Sequence, residues 1–297
     1  MAVRSMHRFR IVSLSDRILL SLFFLFLMLF SLLCLYPIFN MLAISFSDGL
    51  SADQGRVVLW PLHFNLDSWK QILVSTPLWT GLRNTVFVTV VGTALSLFFT
   101  ALFAYPLSKS DFPFAKIVMF ITIFCFIFRY PIIPYFIALK SYGLMNTLWV
   151  LIFAHLLVEM NVIIMRTFFR QIPEEMEEAA TIDGAGQLRI FAIIYIPLSK
   201  AAMASLGLFY AVTYWNLYLH PLLFIRKASA QPLQIVLMNM LASVENEGGM
   251  SAMVRTVTSA STLQAAMVIF ASLPVIIAYP FVQKYFAKGV MLGSLKG

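Results

Sequence analysis

Apolar residues dominate six stretches of the chain, and polar residues gather between them. The stretches cover about residues 18–46, 83–107, 116–138, 147–168, 201–224 and 262–282. Runs near twenty residues long match the thickness of a bilayer when they are helical. A backbone in lipid has to satisfy its own polar groups, so each run predicts a membrane helix. The alternating pattern of a membrane β-barrel strand is absent. The expectation is an all-α polytopic membrane protein with six transmembrane helices. The connections are unequal: residues 47–82 and 225–261 are long and polar, 108–115 is short, and 169–200 holds an acidic cluster.

Composition supports the pattern. Of 297 residues, 61% are hydrophobic and 11% charged, against roughly 25% charged in a soluble domain. The formal charge of +8 comes from Lys and Arg spread through short loops, as helix-end anchors would be, and predicts no nucleic-acid partner. Cys34 and Cys125 both lie inside apolar runs, and the four histidines are scattered, so neither a disulfide framework nor a metal site is expected. No G-x-x-x-x-G-K-[ST] loop occurs: Gly289–Gly297 has glycines and a lysine without that spacing.

The first run follows Arg4, Arg8 and Arg10, and Ala43-Ile44-Ser45 resembles a cleavage site. A signal peptide has an apolar region of roughly 7–15 residues. The run from Ile18 to about Ile44 is longer, and it reads as a retained span after a cytoplasmic segment 1–17. With the N-terminus inside, 13 of the 21 Lys and Arg fall in inside segments, and both termini are cytoplasmic. Trp60, Trp69 and Trp79 then share the first outer loop, as a membrane-surface helix or as a place where a partner docks.

The acidic cluster is Glu174, Glu175, Glu177 and Glu178. Pro173 fits the first position of a helix, and carboxylates favour the positive end of its dipole. Gly184 and Gly186 stop it. A helix of about three turns is predicted at the membrane surface, with Met176, Ala179 and Ala180 on one face. Small alanines let another protein approach closely, and Glu177 and Glu178 could pair with a basic partner. A second helix follows from Gln187 to Ile196 and ends at Pro197. A solvated acidic turn is the competing reading, since charge runs usually face water.

Residue order tips the balance. Glu178-Ala179-Ala180, then Gly184, Ile194 and Ile196-Pro197 resemble the E-A-A…G…I-x-L-P signature of the inner-membrane permeases of binding-protein-dependent ABC importers, with Ile-Pro in place of Leu-Pro. Asp183-Gly184-Ala185 fits the same signature. Asn84-Thr85, Ala104-Tyr105-Pro106-Leu107-Ser108, Tyr142-Gly143-Leu144-Met145-Asn146-Thr147, Trp215-Asn216 and Gln231-Pro232-Leu233-Gln234 look similar too. The tail Gln283–Gly289, with Gly293–Gly297, is like that of maltose-type, carbohydrate-importing members, and the resemblance covers roughly 35–297.

The resemblance implies a type I importer fold in one permease domain, 18–297, with a cytoplasmic coupling loop at about 169–200. The loop helix would dock on the ATPase, so Glu177, Glu178, Ala179, Ala180, Asp183, Gly184 and Ala185 form the expected interface. The tail would reach the ATPase as well. Implied partners are a second, homologous permease, two cytoplasmic ATPase subunits and an extracytoplasmic solute-binding protein. No cofactor is expected on this chain; ATP and Mg belong to the ATPase subunits, and the chain itself is not an enzyme. The implied cargo is a carbohydrate, and Tyr36–Asn40 with Ala104–Ser108 resembles importers of oligosaccharides, alginate and rhamnogalacturonan oligouronides among them. The implied location is the bacterial inner membrane.

Polar residues inside the spans are costly and so are functional candidates. His155 and Glu159 are spaced one turn apart in the fourth run, with Asn161 close by. Asn216 and His220 make a similar pair in the fifth, beside Trp215 and Tyr218. Arg129, Tyr130 and Tyr135 fall near the outer end of the third. A sugar pathway needs aromatic faces and hydroxyl partners, and a guanidinium suits a carboxylate; glue between helices is the plainer use. An autonomous secondary transporter would want an internal repeat, which is missing, and a membrane enzyme would rest on His155 and Glu159 alone.

Overall fold

The computed structural model describes residues 14–128, 130–246 and 259–294, and every regular element among them is helical. The helices are α1 (Leu14–Ser45), α2 (Gly49–Asp53), α3 (Asp67–Val74), α4 (Thr76–Ser108), α5 (Ala115–Ile127), α6 (Ile132–Ser141), α7 (Leu148–Ala154) and α8 (Glu159–Phe169). Then come α9 (Glu174–Ile182), α10 (Gln187–Leu198), α11 (Lys200–Trp215), α12 (Leu219–Phe224), α13 (Leu233–Asn246) and α14 (Ala260–Ser294). Three of them, α1, α4 and α14, are long and apolar enough to cross a membrane, and the count reaches six if each bent pair, α5–α6, α7–α8 and α10–α11, is one span.

Four expectations change in detail. The second span starts at Thr76, seven positions before 83, because Ser75-Thr76-Pro77 supplies a helix start that hydropathy alone passes over. The third is two helices: Pro131 has no N–H to give and biases Tyr130 toward extended backbone. The fourth is bent by 54° at residues 155–158. The sixth does not stop at 282; its helix runs to Ser294, about 50 Å at 1.5 Å per residue.

Two compact units are distinguished. In the first, α1 leaves no part of its apolar window buried within this chain. The loop behind it is tied down locally. Asn40 donates to the carbonyls of Val57 and Val58, and Asp48 caps α2 through the Ser51 N–H. Phe46 stacks between Phe64 and Trp69, and the Trp69 indole donates to Ser45. The three tryptophans do not share one surface helix. Trp60 stands in irregular chain, Trp69 lies on α3, and Trp79 belongs to α4, where it meets Phe270 edge-on.

The second unit is built around α4. Its buried face reads Gly81, Thr85, Val88, Gly92, Ser96, Thr100, Ala104, Leu107, in steps of three and four. Lipid is as apolar as leucine, so small and polar residues mark the side that meets other helices. α11, α8 and α13 pack on this stripe. At Gly92 the approach is closest: a Cβ would lie 2.7–2.9 Å from three atoms of the Tyr214 ring. At the far end, Asn84 donates to the carbonyls of Ser229 and Gln231, and Thr85 accepts from the Leu233 N–H. The Asn-Thr and Gln-Pro-Leu motifs are therefore two halves of one joint. Asn146, held at φ 61°, likewise accepts from the N–H groups of Arg226 and Lys227.

Candidate functional site: the acidic loop and the interrupted span

α9 is shaped by its ends. Pro173 stands just before the helix, not as its first residue, and Glu174, Glu175 and Glu177 fill the first turn, where carboxylates oppose the dipole. At the other end the Ala185 N–H reaches the carbonyl of Ala180 and the Gly184 N–H reaches that of Thr181. This is the paired closure that needs a left-handed residue, and Gly184 supplies it at φ 77°. Ala180 and Ala185 are thereby drawn together and pack against the cluster of Tyr105, Phe169, Phe191 and Tyr195. Glu178, Ala179 and Asp183 stay exposed. Beside them Met176, Ile182 and Leu188 show apolar side chains to the outside, Ile182 at 86% exposure.

The two central glutamates therefore part company. Glu178 has no partner among the described residues. Glu177 turns inward and finds its cation within the chain. Lys109 Nζ, just beyond α4, donates to its Oε2, and the Tyr195 hydroxyl donates to the same oxygen at 2.9 Å. Lys109 also sits over the rings of Tyr105 and Tyr195, 4.4 and 4.2 Å from their centroids. Tyr105 donates to the Gln187 side chain at 2.7 Å. A cleft of about 680 Å³ opens between this knot and α9, with Asp111, Arg170, Glu174, Glu178 and Ile182 on its walls.

Burial alone would push the Glu177 carboxyl up, but the hydrogen bonds from Lys109 and Tyr195 outweigh it and hold the group below its ordinary 4.5. A carboxyl depressed in the folded state stabilises above its unfolded value, and the gain is lost as pH falls through the lowered one. Protection of the α9 amides against hydrogen exchange is expected to stay level down to about pH 5 and to fall below about pH 4. Glu177→Gln should flatten that fall; a fall of equal size in Glu177→Gln would assign it to other carboxyls.

α10 ends one residue past Pro197, at Leu198. It passes through a wide π-turn over Phe191–Tyr195, continues to Leu198, and meets α11 at 81°. Proline cannot donate to the preceding turn and crowds its carbonyl, and the looser turn makes room.

The second candidate region is the break between α7 and α8. Backbone groups freed inside a bilayer need other partners, and here side chains from three neighbouring spans supply them. The Tyr135 hydroxyl donates to the carbonyl of Ala154 at 2.9 Å, and the Ser96 hydroxyl, which donates to Tyr214, lies 3.3 Å from that of His155. Tyr214 donates to the carbonyl of Ile152 at 3.1 Å, and Tyr210 accepts from the Val158 N–H at 3.1 Å. Ser96 and Thr100 hold those two tyrosines at 2.8 and 2.7 Å.

His155 and Glu159 are consequently not neighbours on one helix: His155 caps α7 and Glu159 opens α8. Asn216 and His220 are also on different elements, since Asn216 caps α11 and His220 lies on α12. The break instead brings His155 to His220, ring centroids 4.5 Å apart, with Tyr135 6.1 Å from His220 and 4.4 Å from Tyr130. Asn161 is buried on α8. Asn216 donates back to Val212, Trp215 is half-buried, and exposed Tyr218 donates to the sulfur of Met238. Arg129 lies outside the described residues, as do Arg4, Arg8, Arg10 and Lys296. Sequence reasoning missed Lys109, Ser96, Tyr210 and Tyr214. A signal existed for the last three: Tyr210–Tyr214 and Ser96–Thr100 repeat at the same four-residue step on two apolar runs.

Known proteins resemble this chain over most of its length. The family described as "Binding-protein-dependent transport system inner membrane component" matches residues 112–292. The polygalacturonan/rhamnogalacturonan transport system permease protein YtcP of Bacillus subtilis is 38% identical over 286 residues, 96% of this chain and 100% of the relative. Protein LplC of the same organism is 39% identical, with 88% and 89% covered. The melibiose/raffinose/stachyose import permease protein MelC, also from Bacillus subtilis, is 28% identical over 80% of this chain and 84% of the relative. Among solved structures, a chain of a bacterial ABC transporter involved in the import of the acidic polysaccharide alginate superposes with a TM-score of 0.85 at 35% identity, covering 92% of this chain and 98% of that one.

Proposed function

The chain belongs to the family of binding-protein-dependent transport system inner membrane components, and from that membership we propose that it is the permease subunit through which an ABC importer brings an acidic oligosaccharide into the cell. The observation that carries the cargo is the near-complete, 38%-identical match to a polygalacturonan/rhamnogalacturonan permease, together with the 35%-identical alginate-importer chain. Both of those proteins are named for uronic-acid polymers, whereas the relative named for melibiose, raffinose and stachyose is 28% identical. The acidic loop faces the cytoplasm, both chain termini lie inside, and α9 docks on an ATPase subunit through Glu178, Ala179, Ile182 and their neighbours. ATP and Mg are held by the two ATPase subunits. A second permease and an extracytoplasmic binding protein complete the complex. Tyr130, Tyr135, Glu159, Asn161, Trp215, Asn216 and Tyr218 are the residues we assign to the pathway, with Arg129 as the carboxylate contact.

The test is purification of the tagged chain from its host in mild detergent, followed by uptake assays in proteoliposomes. An ATPase and a second permease are expected to accompany it. Uptake of labelled trigalacturonate is expected to need ATP and to be blocked by unlabelled oligouronide but not by maltotriose. Arg129→Ala is expected to lower uronide uptake by about tenfold or more, the value of one hydrogen bond to a charged group. Competition by maltotriose as strong as by oligouronide would remove the acidic cargo.

A further inference from the structure

We propose that Lys109 is a positioning residue of the coupling step: through Glu177 and Tyr195 it ties the docked helix α9 to the inner end of α4 and to α10 at once, so that α9 cannot move without carrying both. The inference rests on the reading of α9 as the docking element and adds to it how the movement leaves α9.

The geometry carries it. Lys109 and Glu177 are 68 residues apart in sequence, and their side chains are 14% and 18% exposed. The pairs His63–Asp48 and Lys70–Asp67 are local, and the His63 and Lys70 side chains are 82% and 71% exposed. An exposed pair is easily replaced by water; an enclosed one is not, because either partner left alone keeps an uncompensated charge. The lysine is boxed by two aromatic rings and makes two hydrogen bonds, to Glu177 and to the Tyr195 hydroxyl at 2.8 Å. α9 has no buried residue of its own. Its hold on the bundle therefore depends on few groups, and this knot joins it to two elements that lead into different spans. α4 is the helix on which α11, α8 and α13 pack, and α10 leads into α11. Such a joint transmits rigid-body movement, whereas α9 docked by a flexible tether would move alone.

The experiment uses the whole complex, reconstituted with its ATPase pair, second permease and binding protein. Hydrogen exchange is compared before and after trapping with ATP, Mg²⁺ and vanadate. In the unaltered complex, exchange is expected to change both in α9 and in the inner half of α4. In Lys109→Met the change in α9 is expected to persist and that in α4 to shrink about tenfold, a loss of coupling between two sites and not of binding at either. Lys109→Arg, and the swap Lys109→Glu with Glu177→Lys, are expected to recover at least about half of the α4 response. A full α4 response in Lys109→Met overturns the proposal and leaves the docking element standing. Loss of the ATPase from the Lys109→Met complex also overturns it, by making the lysine part of the docking surface. Silence of α9 in the unaltered complex removes the docking element and the latch together.

Discussion

A Glu178→Lys chain is expected to reach the membrane in normal amount and to leave ATP-driven import at about a hundredth of its usual rate. The two halves of that expectation have separate causes. Glu178 is exposed and makes no hydrogen bond or ion pair among the described residues, and substitutions at such positions shift stability by about 0.5 kcal/mol or less. On a docking face, by contrast, losing one partner of a charge pair costs about 2–5 kcal/mol, and roughly 2.8 kcal/mol is a hundredfold. Initial uptake rates in vesicles, set against membrane abundance of the chain, read both halves. Normal import with normal abundance would sink α9 as the docking element. Gly184 provides the comparison. A Cβ there meets open space, so Gly184→Ala strains the backbone by about 1–2 kcal/mol without obstructing a partner, and a bulkier side chain adds the obstruction.

Gly92→Ala is expected to be the most destabilising single-methyl change in the second unit. The added carbon would stand 2.7–2.9 Å from three ring atoms of Tyr214. The ring cannot slide away cheaply, because its hydroxyl is bonded to Ser96 and to the carbonyl of Ile152. Overpacking of this kind costs about 1–3 kcal/mol. The loss is to be measured as a lowered thermal midpoint in mild detergent, with Gly186→Ala as control, since no atom lies within 4 Å of a Cβ there. Equal midpoints for the two variants would mean that α4 and α11 can part by several tenths of an ångström without penalty.

Much of this was legible in the chain. Six apolar runs, the proline and glycine that bound α9, and the motif order of the loop all carry local signals, and local signals read well. The unreadable parts lack them. No Pro or Gly marks the break at His155–Val158, where Leu156 and Leu157 continue the apolar pattern. It is held open by tyrosines and a serine from other spans, and helix–helix placement is not written in any one run. Glu177 and Glu178 differ for the same reason: on one helix they point about 100° apart, and which of the two meets a partner depends on Lys109 and Tyr195, 68 and 18 residues away. Pro197 is a local signal that reads well: the helix ends one residue beyond it, at an 81° bend.

The break in the fourth span also has a consequence for how the protein is made. Tyr210 and Tyr214 lie 52 and 62 residues beyond the backbone groups that they satisfy. At roughly 5–20 residues per second, a ribosome delivers them several seconds after α7 and α8. For that interval the N–H of Val158 lacks its partner, and an unsatisfied group in lipid costs several kcal/mol, while the carbonyl of Ile152 keeps its bond from the His155 N–H and waits only for its second. The fourth span cannot settle alone; it has to be sheltered, by water or by the insertion machinery, until α11 arrives. A chain cut short before residue 210 would present the insertion and quality-control apparatus with an open backbone at mid-helix, a mark of incompleteness that vanishes only when the fifth span is in place.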